Sequence, residues 1–199
     1  MARPREPWRR EQLLDAAVEV ATSHGLGALT IKEVALTAGC SPGTIHYHFD
    51  DVEGVMVGIV ERSLEQMYDG RLAAIAQVPS IADKLSTLID LGIPDELSHE
   101  VSLMYEAIPV IRQRAHFDTA LRSYVERQVS LYRSVIDAGV STGIFSPQEP
   151  VDVIARNLLA LEDAYDLYRV VGASRDGVVG RRNLRIYASR ALVTQIGSG

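Results

Sequence analysis

Within five residues, Thr44, His46, Tyr47 and His48 bring together a hydroxyl, two imidazoles and a phenol, directly after Ser41, Pro42 and Gly43. Two histidines could serve a metal, but two positions apart on a helix they point to different faces, so a shared metal site is disfavoured. What the set does offer is hydrogen-bonding and small apolar groups with little charge, a composition that suits a DNA groove. Further along, Glu162, Asp163 and Asp166 crowd one helical segment beside Tyr165 and Tyr168. Like charges at i, i+4 destabilise a helix unless something compensates them. Two readings stand. The first is pairing with Arg169, Arg181, Arg182, Arg185 or Arg190, within or across subunits. The second is a site for a cationic ligand, to which Tyr105, Glu106, Tyr124 and Tyr132 could add aromatic faces and another carboxylate. No Gly-rich phosphate loop, HExxH or Gly-x-Ser-x-Gly elbow occurs, so the sequence carries no enzyme signature and implies neither cofactor nor metal.

The elements that must position the first set are legible in TIKEVALTAGCSPGTIHYHF, residues 30–49. Thr30 with Glu33 has the spacing of a capping box, which opens a helix at Ile31. Ile31, Val34, Ala35 and Ala38 give it an apolar face, and Gly39 tolerates the positive φ that stops it. Ser41 offers a second N-cap with Pro42 in the first helical position, and Ile45 with Phe49 forms the inward pair of the next helix. The whole is a helix-turn-helix whose second helix turns Thr44, His46, Tyr47 and His48 outward. An ordinary helical hairpin with a solvated polar face has the same outline.

The string GCSPGTIHYHF closely resembles the recognition-helix signature of the tetracycline-repressor (TetR) family, a Gly-x-Ser turn followed by Thr-aliphatic-aromatic-aromatic-His-Phe. The resemblance implies a homodimeric, ligand-responsive transcriptional repressor that binds double-stranded operator DNA. It implies that the DNA-contacting set is Arg3, Arg5, Arg9, Thr30, Ser41, Pro42, Gly43, Thr44, His46, Tyr47 and His48. The body is similar to the choline-responsive subgroup, which again points to a cationic effector. Two positions depart from the family pattern. His46 stands where Tyr is usual, and Asp50-Asp51-Val52-Glu53 stands where a phosphate-binding Lys is common. The opposing class is a helical interaction module, or an enzyme, with an incidental hairpin.

The rest of the chain reads as helical throughout, because no segment alternates with period two. The expected fold is all-α: residues 1–50 a helix-turn-helix domain with a basic N-terminal arm, residues 51–199 a helical ligand-binding and dimerisation domain. Trp8–Ser23 should pack on the helix-turn-helix. A long helix from about Asp51 towards Gln77 should couple the two parts. Ser80 caps the next helix, another starts near Asp95 and ends or kinks at Pro109, and Phe117–Val140 is the cleanest amphipath. Pro150 opens a helix with the stripe Ile154, Leu158, Leu161, Tyr165 and Tyr168, and Ser174 caps the last one. These last two helices are the expected dimer surface.

A net charge of −6 and a pI near 5.4 exclude a generally basic surface, so DNA binding must come from a local patch, with Arg3, Arg5, Arg9 and Arg10 as its arm. No apolar run is long enough to span a bilayer and no signal-peptide pattern appears, which predicts a cytoplasmic protein. Cys40, the lone cysteine, reads as a small hydrophobe in the turn, with redox sensing the minor alternative.

Overall fold

The computed structural model describes residues 7–193, and Arg3 and Arg5 lie outside them. Among the described residues every regular element is a helix: α1 Pro7–His24, α2 Ile31–Thr37, α3 Pro42–His48, α4 Val52–Ala76, α5 Ile81–Gly92, α6 His99–Ile111, α7 Ala115–Ser141, α8 Val151–Val170 and α9 Val178–Ala191. A single 3-10 turn at Leu26–Ala28 follows α1.

The chain forms two compact units. The first takes in residues 1–64 and 98–121. Here α1 packs on α2 and α6, and α2 on α3. The buried stripe of α1, Leu13, Leu14, Ala17, Val20 and Ala21, joins Val34 and Ala35 of α2 and Ile45 of α3 in its interior. The second unit takes in residues 65–97 and 122–199. Its core is built from Leu85, Leu88 and Ile89 of α5, Val129, Tyr132 and Ile136 of α7, Ile154, Ala155 and Leu158 of α8, and Leu184 and Ala188 of α9. The compact unit that holds the helix-turn-helix therefore also includes α6 and the first turns of α4 and α7.

Local rules account for most helix boundaries. The Glu33 N–H donates to Thr30 Oγ1 at 3.2 Å, and the Asp83 N–H to Ser80 Oγ at 3.3 Å. Five details differ from the sequence expectation. Ser41 occupies the N-cap of α3, but its hydroxyl pairs with Thr44 Oγ1 at 3.2 Å instead of capping. The helix expected from Asp95 starts at His99, because Ser98 accepts from the Val101 N–H at 3.2 Å. That helix continues through Pro109 to Ile111, so the proline is accommodated inside its last turn. Ser174 does not cap α9; Asp176 Oδ1 accepts from the Val178 N–H at 2.9 Å. Tyr168, expected in the stripe of α8, is half exposed, since the buried side of that helix runs instead through Leu158, Leu159, Glu162 and Asp166.

Ile45 is the buried residue of α3 and is fully enclosed. Ile45→Ala is expected to destabilise the first unit by about 2–5 kcal/mol, read as a lower urea midpoint, with Leu36→Ala, at an exposed position of α2, close to neutral.

Candidate functional site

The candidate nucleic-acid surface is α3 with the turn before it. Gly39 adopts φ +61°, and the Cys40 N–H returns to Ala35 O at 2.9 Å, which closes α2 and swings the chain into α3. Ser41, Pro42, Gly43, His46 and Tyr47 are exposed, Thr44 and His48 half-buried, and Ile45 and Phe49 buried. Of the expected outward set, His46 and Tyr47 are exposed and Thr44 and His48 only partly so. Because the Thr44 hydroxyl is tied to Ser41, its methyl is the group left for an apolar contact. His46 Nδ1 lies 3.3 Å from Asp50 O, and Tyr47 stands edge-on to His48 with centroids 5.1 Å apart. Cys40 is half-buried in the turn.

Sequence reasoning left the acidic run after α3 as a liability against a polyanion. The structure supplies part of its counter-charge, one arginine for two of its three carboxylates. Asp51 caps α4 by accepting the Gly54 N–H at 2.8 Å, and Arg114 forks across the start of that helix, with Nη2 2.5 Å from Asp51 and Nε 2.9 Å from Glu53. The hydrogen bond from Arg114 holds the Asp51 carboxyl below its ordinary range, and the same bonds hold the Arg114 guanidinium above its own. Of the basic arm, Arg9 donates to Gln12 Oε1 at 2.9 Å and Arg10 lies 3.7 Å from both Glu11 and Glu61.

In the second unit, the expected ligand residues separate. Tyr124, Tyr132, Glu162, Asp163, Tyr165 and Asp166 belong to it, whereas Tyr105 and Glu106 lie on α6 in the first unit. Tyr132 and Glu162 meet, and the residue that joins them is Arg71 of α4, which is 4 % exposed. Its guanidinium donates to both Glu162 oxygens, at 3.0 and 3.1 Å, and to Leu88 O at 3.1 Å. The Tyr132 hydroxyl donates to Glu162 Oε1, and the Arg71 guanidinium lies 5.1 Å over the Tyr132 ring. A Cβ on Gly92 would sit 1.9 Å from Glu162 Oε1, so only glycine lets α5 pass the carboxylate.

Burial pulls the Arg71 guanidinium towards its neutral form, but Glu162 and Tyr132 more than offset this and its affinity for the proton rises. Burial pushes the Glu162 carboxyl up, opposed by Arg71 and Tyr132. Burial likewise raises the Tyr124 and Tyr132 phenols, so both are hydrogen-bond donors at neutral pH. Asp166, one turn beyond Glu162, is pushed up to about 7 by burial, with Glu162 and Asp163 adding and Arg169 opposing. Arg169 Nη1 is 3.5 Å from Asp166 Oδ1, but that guanidinium spends its hydrogen bonds on Pro94 O and Asp95 O, both at 2.7 Å, and Asp166 Oδ1 has no hydrogen-bond partner. Tyr165 accepts from Asn183 Nδ2 at 2.7 Å.

The compensation foreseen from α8 and α9 arginines therefore holds for Asp166, through Arg169, while Glu162 is matched by an arginine from α4. Arg71, Arg114 and Gln128 were missed by sequence reasoning. Leu64, Tyr68, Arg71 and Ile75 share one helical phase, which was the signal for a buried arginine. Among the described residues, no group of three His, Cys, Asp or Glu side chains could hold a metal, and no helix is long and apolar enough to cross a membrane.

Two outcomes test this site. Glu162→Ala leaves the Arg71 charge buried and unpaired, with an expected loss of about 3–5 kcal/mol; the triple change Arg71→Met, Tyr132→Phe, Glu162→Leu is expected to recover most of it in urea titrations, and equal losses for both would show that packing and not charge is at stake. Asp166 gives a pH signature. Between about pH 4, where an unfolded aspartate ionises, and about 7, where Asp166 ionises in the fold, the folded chain holds a proton the unfolded chain has released. The stability this group contributes is complete below that window and lost as pH rises through it. Asp166→Asn is expected to flatten that part of the stability–pH curve and to be the more stable protein above neutrality; an unchanged curve would show that Asp166 is ionised throughout.

Residues 13–57 match the family of bacterial regulatory proteins of the tetR type. Over 182 residues, the chain is 27 % identical to the HTH-type transcriptional regulator BetI of Rhizobium meliloti, covering 90 % of this chain and 80 % of that protein. Among solved structures, it resembles a transcriptional regulator from Saccharomonospora viridis in complex with choline, with a TM-score of 0.80 at 19 % identity over 94 % of this chain and 98 % of that one. It also resembles the regulator FadR of Bacillus subtilis in complex with stearoyl-CoA, with a TM-score of 0.70 at 16 % identity over 90 % and 97 %. The matched residues are those that build the α2–turn–α3 unit and its support in α1 and α4, so it is this segment that carries the tetR-family match.

Proposed function

We propose that this protein is a cytoplasmic, homodimeric repressor that binds operator DNA through α3 and releases it when a small molecule binds the body. The observation that carries the reading is the exposed face of α3, where Pro42, Gly43, Thr44 and His46 stand clear of the core on a helix anchored by Ile45 and Phe49. Pro42, Gly43, Thr44 and His46 are the base readers, with the Thr44 methyl available to a thymine methyl. Tyr47, His48 and the Arg3, Arg5, Arg9 arm hold phosphates, and Thr30 and Ser41 frame the two helix starts. In this division, residues 1–50 read DNA and residues 51–199 bind effector and pair the subunits.

Homodimerisation is supported by the apolar side chains that α8 and α9 leave exposed, Val153, Leu167 and Tyr168 on one and Val178 and Ile186 on the other. Two copies present two heads, and successive major grooves ask for a separation of about 34–36 Å. An effector that prefers another spacing weakens binding in proportion to that preference.

The effector is proposed to carry an amine. Glu162 does not supply the counter-charge, since Arg71 already matches it; the candidate is Asp166, whose Oδ1 accepts no hydrogen bond and has Arg169 at 3.5 Å. The choline bound by the Saccharomonospora regulator points the same way, whereas the acyl-CoA bound by FadR does not.

Gel retardation with the chain's own upstream DNA and a random-sequence competitor tests the core of the proposal. Thr44→Ala is expected to reduce discrimination between operator and competitor by roughly 1–3 kcal/mol. His48→Ala is expected to weaken both alike and to flatten the salt dependence. Equal effects of the two substitutions on both DNAs would overturn the assignment of roles, and no retardation of any upstream fragment at low salt would overturn the repressor.

A further inference from the structure

Gln128, on α7, is fully buried, and neither its amide nitrogen nor its carbonyl oxygen has a hydrogen-bond partner. It stands one helical turn from Tyr124 and one from Tyr132, so the three side chains share a face of α7. The Tyr132 hydroxyl is committed to Glu162. The Tyr124 hydroxyl approaches the Gln128 amide closely enough for the amide to lower the phenol's proton affinity, and feels Arg71, Asp163 and Glu162 as well, but the pair falls short of good hydrogen-bond geometry, so Tyr124 is at most a weak partner for the amide. Arg71 Nε, in the same seam, is buried and unpartnered as well. Buried polar groups in native folds are nearly always satisfied, and a carboxamide idle at both ends is costly.

The chemistry of what would satisfy this seam follows from the groups present. The Gln128 NH2 and Arg71 Nε–H call for an acceptor, and the Gln128 carbonyl calls for a donor. Arg71 and Glu162 cancel each other, so a further full charge beside them would be desolvated without a counter-ion. A carboxylate would face Glu162, and a quaternary ammonium offers no hydrogen bond to any of the idle groups. Of the groups near Gln128, Tyr124 is half-buried, and Asp163, whose charge bears on Tyr124, is exposed.

We infer that Gln128 is the polar anchor of the effector site and receives an uncharged group that both donates and accepts hydrogen bonds, a hydroxyl or a carboxamide, at the buried end of the ligand. The inference rests on the proposed reading of the body as effector-binding and adds the end opposite the amine. An effector of this class is an amino alcohol or amino amide. Specificity resides in the neutral head, since a site built to hydrogen-bond a hydroxyl rejects the methyl analogue far more strongly than an apolar pocket rejects a change of size.

The test pairs linear amino alcohols, from ethanolamine to aminohexanol, with the alkylamines in which methyl replaces the hydroxyl, using calorimetry on the full-length wild-type protein and on Gln128→Leu. Gln128→Met serves as a second variant of unbranched shape, and cooperative thermal unfolding checks that each variant folds. At least one amino alcohol should bind the wild type about tenfold or more tightly than its methyl isostere, and that preference should vanish in both variants. A preference that survives in the variants, no preference in the wild type, or no binding by any amino alcohol each overturns the assignment. Unchanged preferences alongside an altered melting temperature would mean that Gln128 holds a buried water only. Acyl and aromatic acids are run in parallel against the operator complex. Release by those acids alone removes Gln128 as anchor and leaves the ligand-responsive repressor standing, whereas release by no compound of any class removes that reading itself.

Discussion

A guanidinium that is 4 % exposed sets the terms for the second unit. Leaving Arg71 unpaired in an apolar core is ruled out by its desolvation cost, so a carboxylate has to reach it with near-ideal geometry. Glu162 does so from α8 with both oxygens, Leu88 O accepts from α5, and Tyr132 of α7 donates to the same carboxylate. Four helices are thereby held in one register by a single pair. Such a pair adds little net stability over well-packed apolar residues. What it contributes is discrimination, because an arrangement of α5, α7 and α8 that slipped by one residue would strand a charge.

The consequences reach the neighbouring residues. Gly92 has to be glycine because α5 passes over the carboxylate where a Cβ would overlap it. Asp166, one turn along, is left in a low-dielectric setting with its arginine at 3.5 Å and turned towards two backbone carbonyls. Its raised proton affinity is therefore a by-product of satisfying Glu162 and Pro94 first. A carboxyl in that state is well placed to respond to a cation, which would remove the reason for its protonation.

How much of this was legible depends on the distance along the chain at which each feature is decided. The head was legible because its determinants are local. Thr30 caps through Glu33, Gly39 takes the positive φ, Ile45 and Phe49 point inward, and all lie within twenty consecutive residues. The acidic cluster was legible as a problem but not in its solution. Arg71 and Glu162 are 91 residues apart, and no local rule pairs them. The arginines weighed instead were near neighbours in sequence, and one of them, Arg169, does serve Asp166. Gln128 escaped attention because a glutamine in a strong amphipath looks like a surface residue until its phase is counted from Tyr124 and Tyr132. The stripe of α8 was misjudged at Tyr168 for a related reason: two acidic residues occupy the buried face that an apolar pattern would assign to aromatics.

The same principle of distant compensation decides the electrostatics of the head. A chain with net charge −6 that places Asp50, Asp51 and Glu53 directly after its recognition helix should repel a phosphate backbone. Asp51 is needed there, because α4 must start within three residues of Phe49 and an N-cap carboxylate is among the strongest ways to start it. Arg114 resolves the conflict from 61 to 63 residues away by spreading one fork over Asp51 and Glu53. Its planar guanidinium can serve two carboxylates at once where a lysine would serve one. The acidic cap thus keeps its structural role at the start of α4 while part of its charge is answered, one guanidinium against two of the three carboxylates, and Asp50 remains exposed beside the neutral hydrogen-bonding groups of Thr44, His46, Tyr47 and His48.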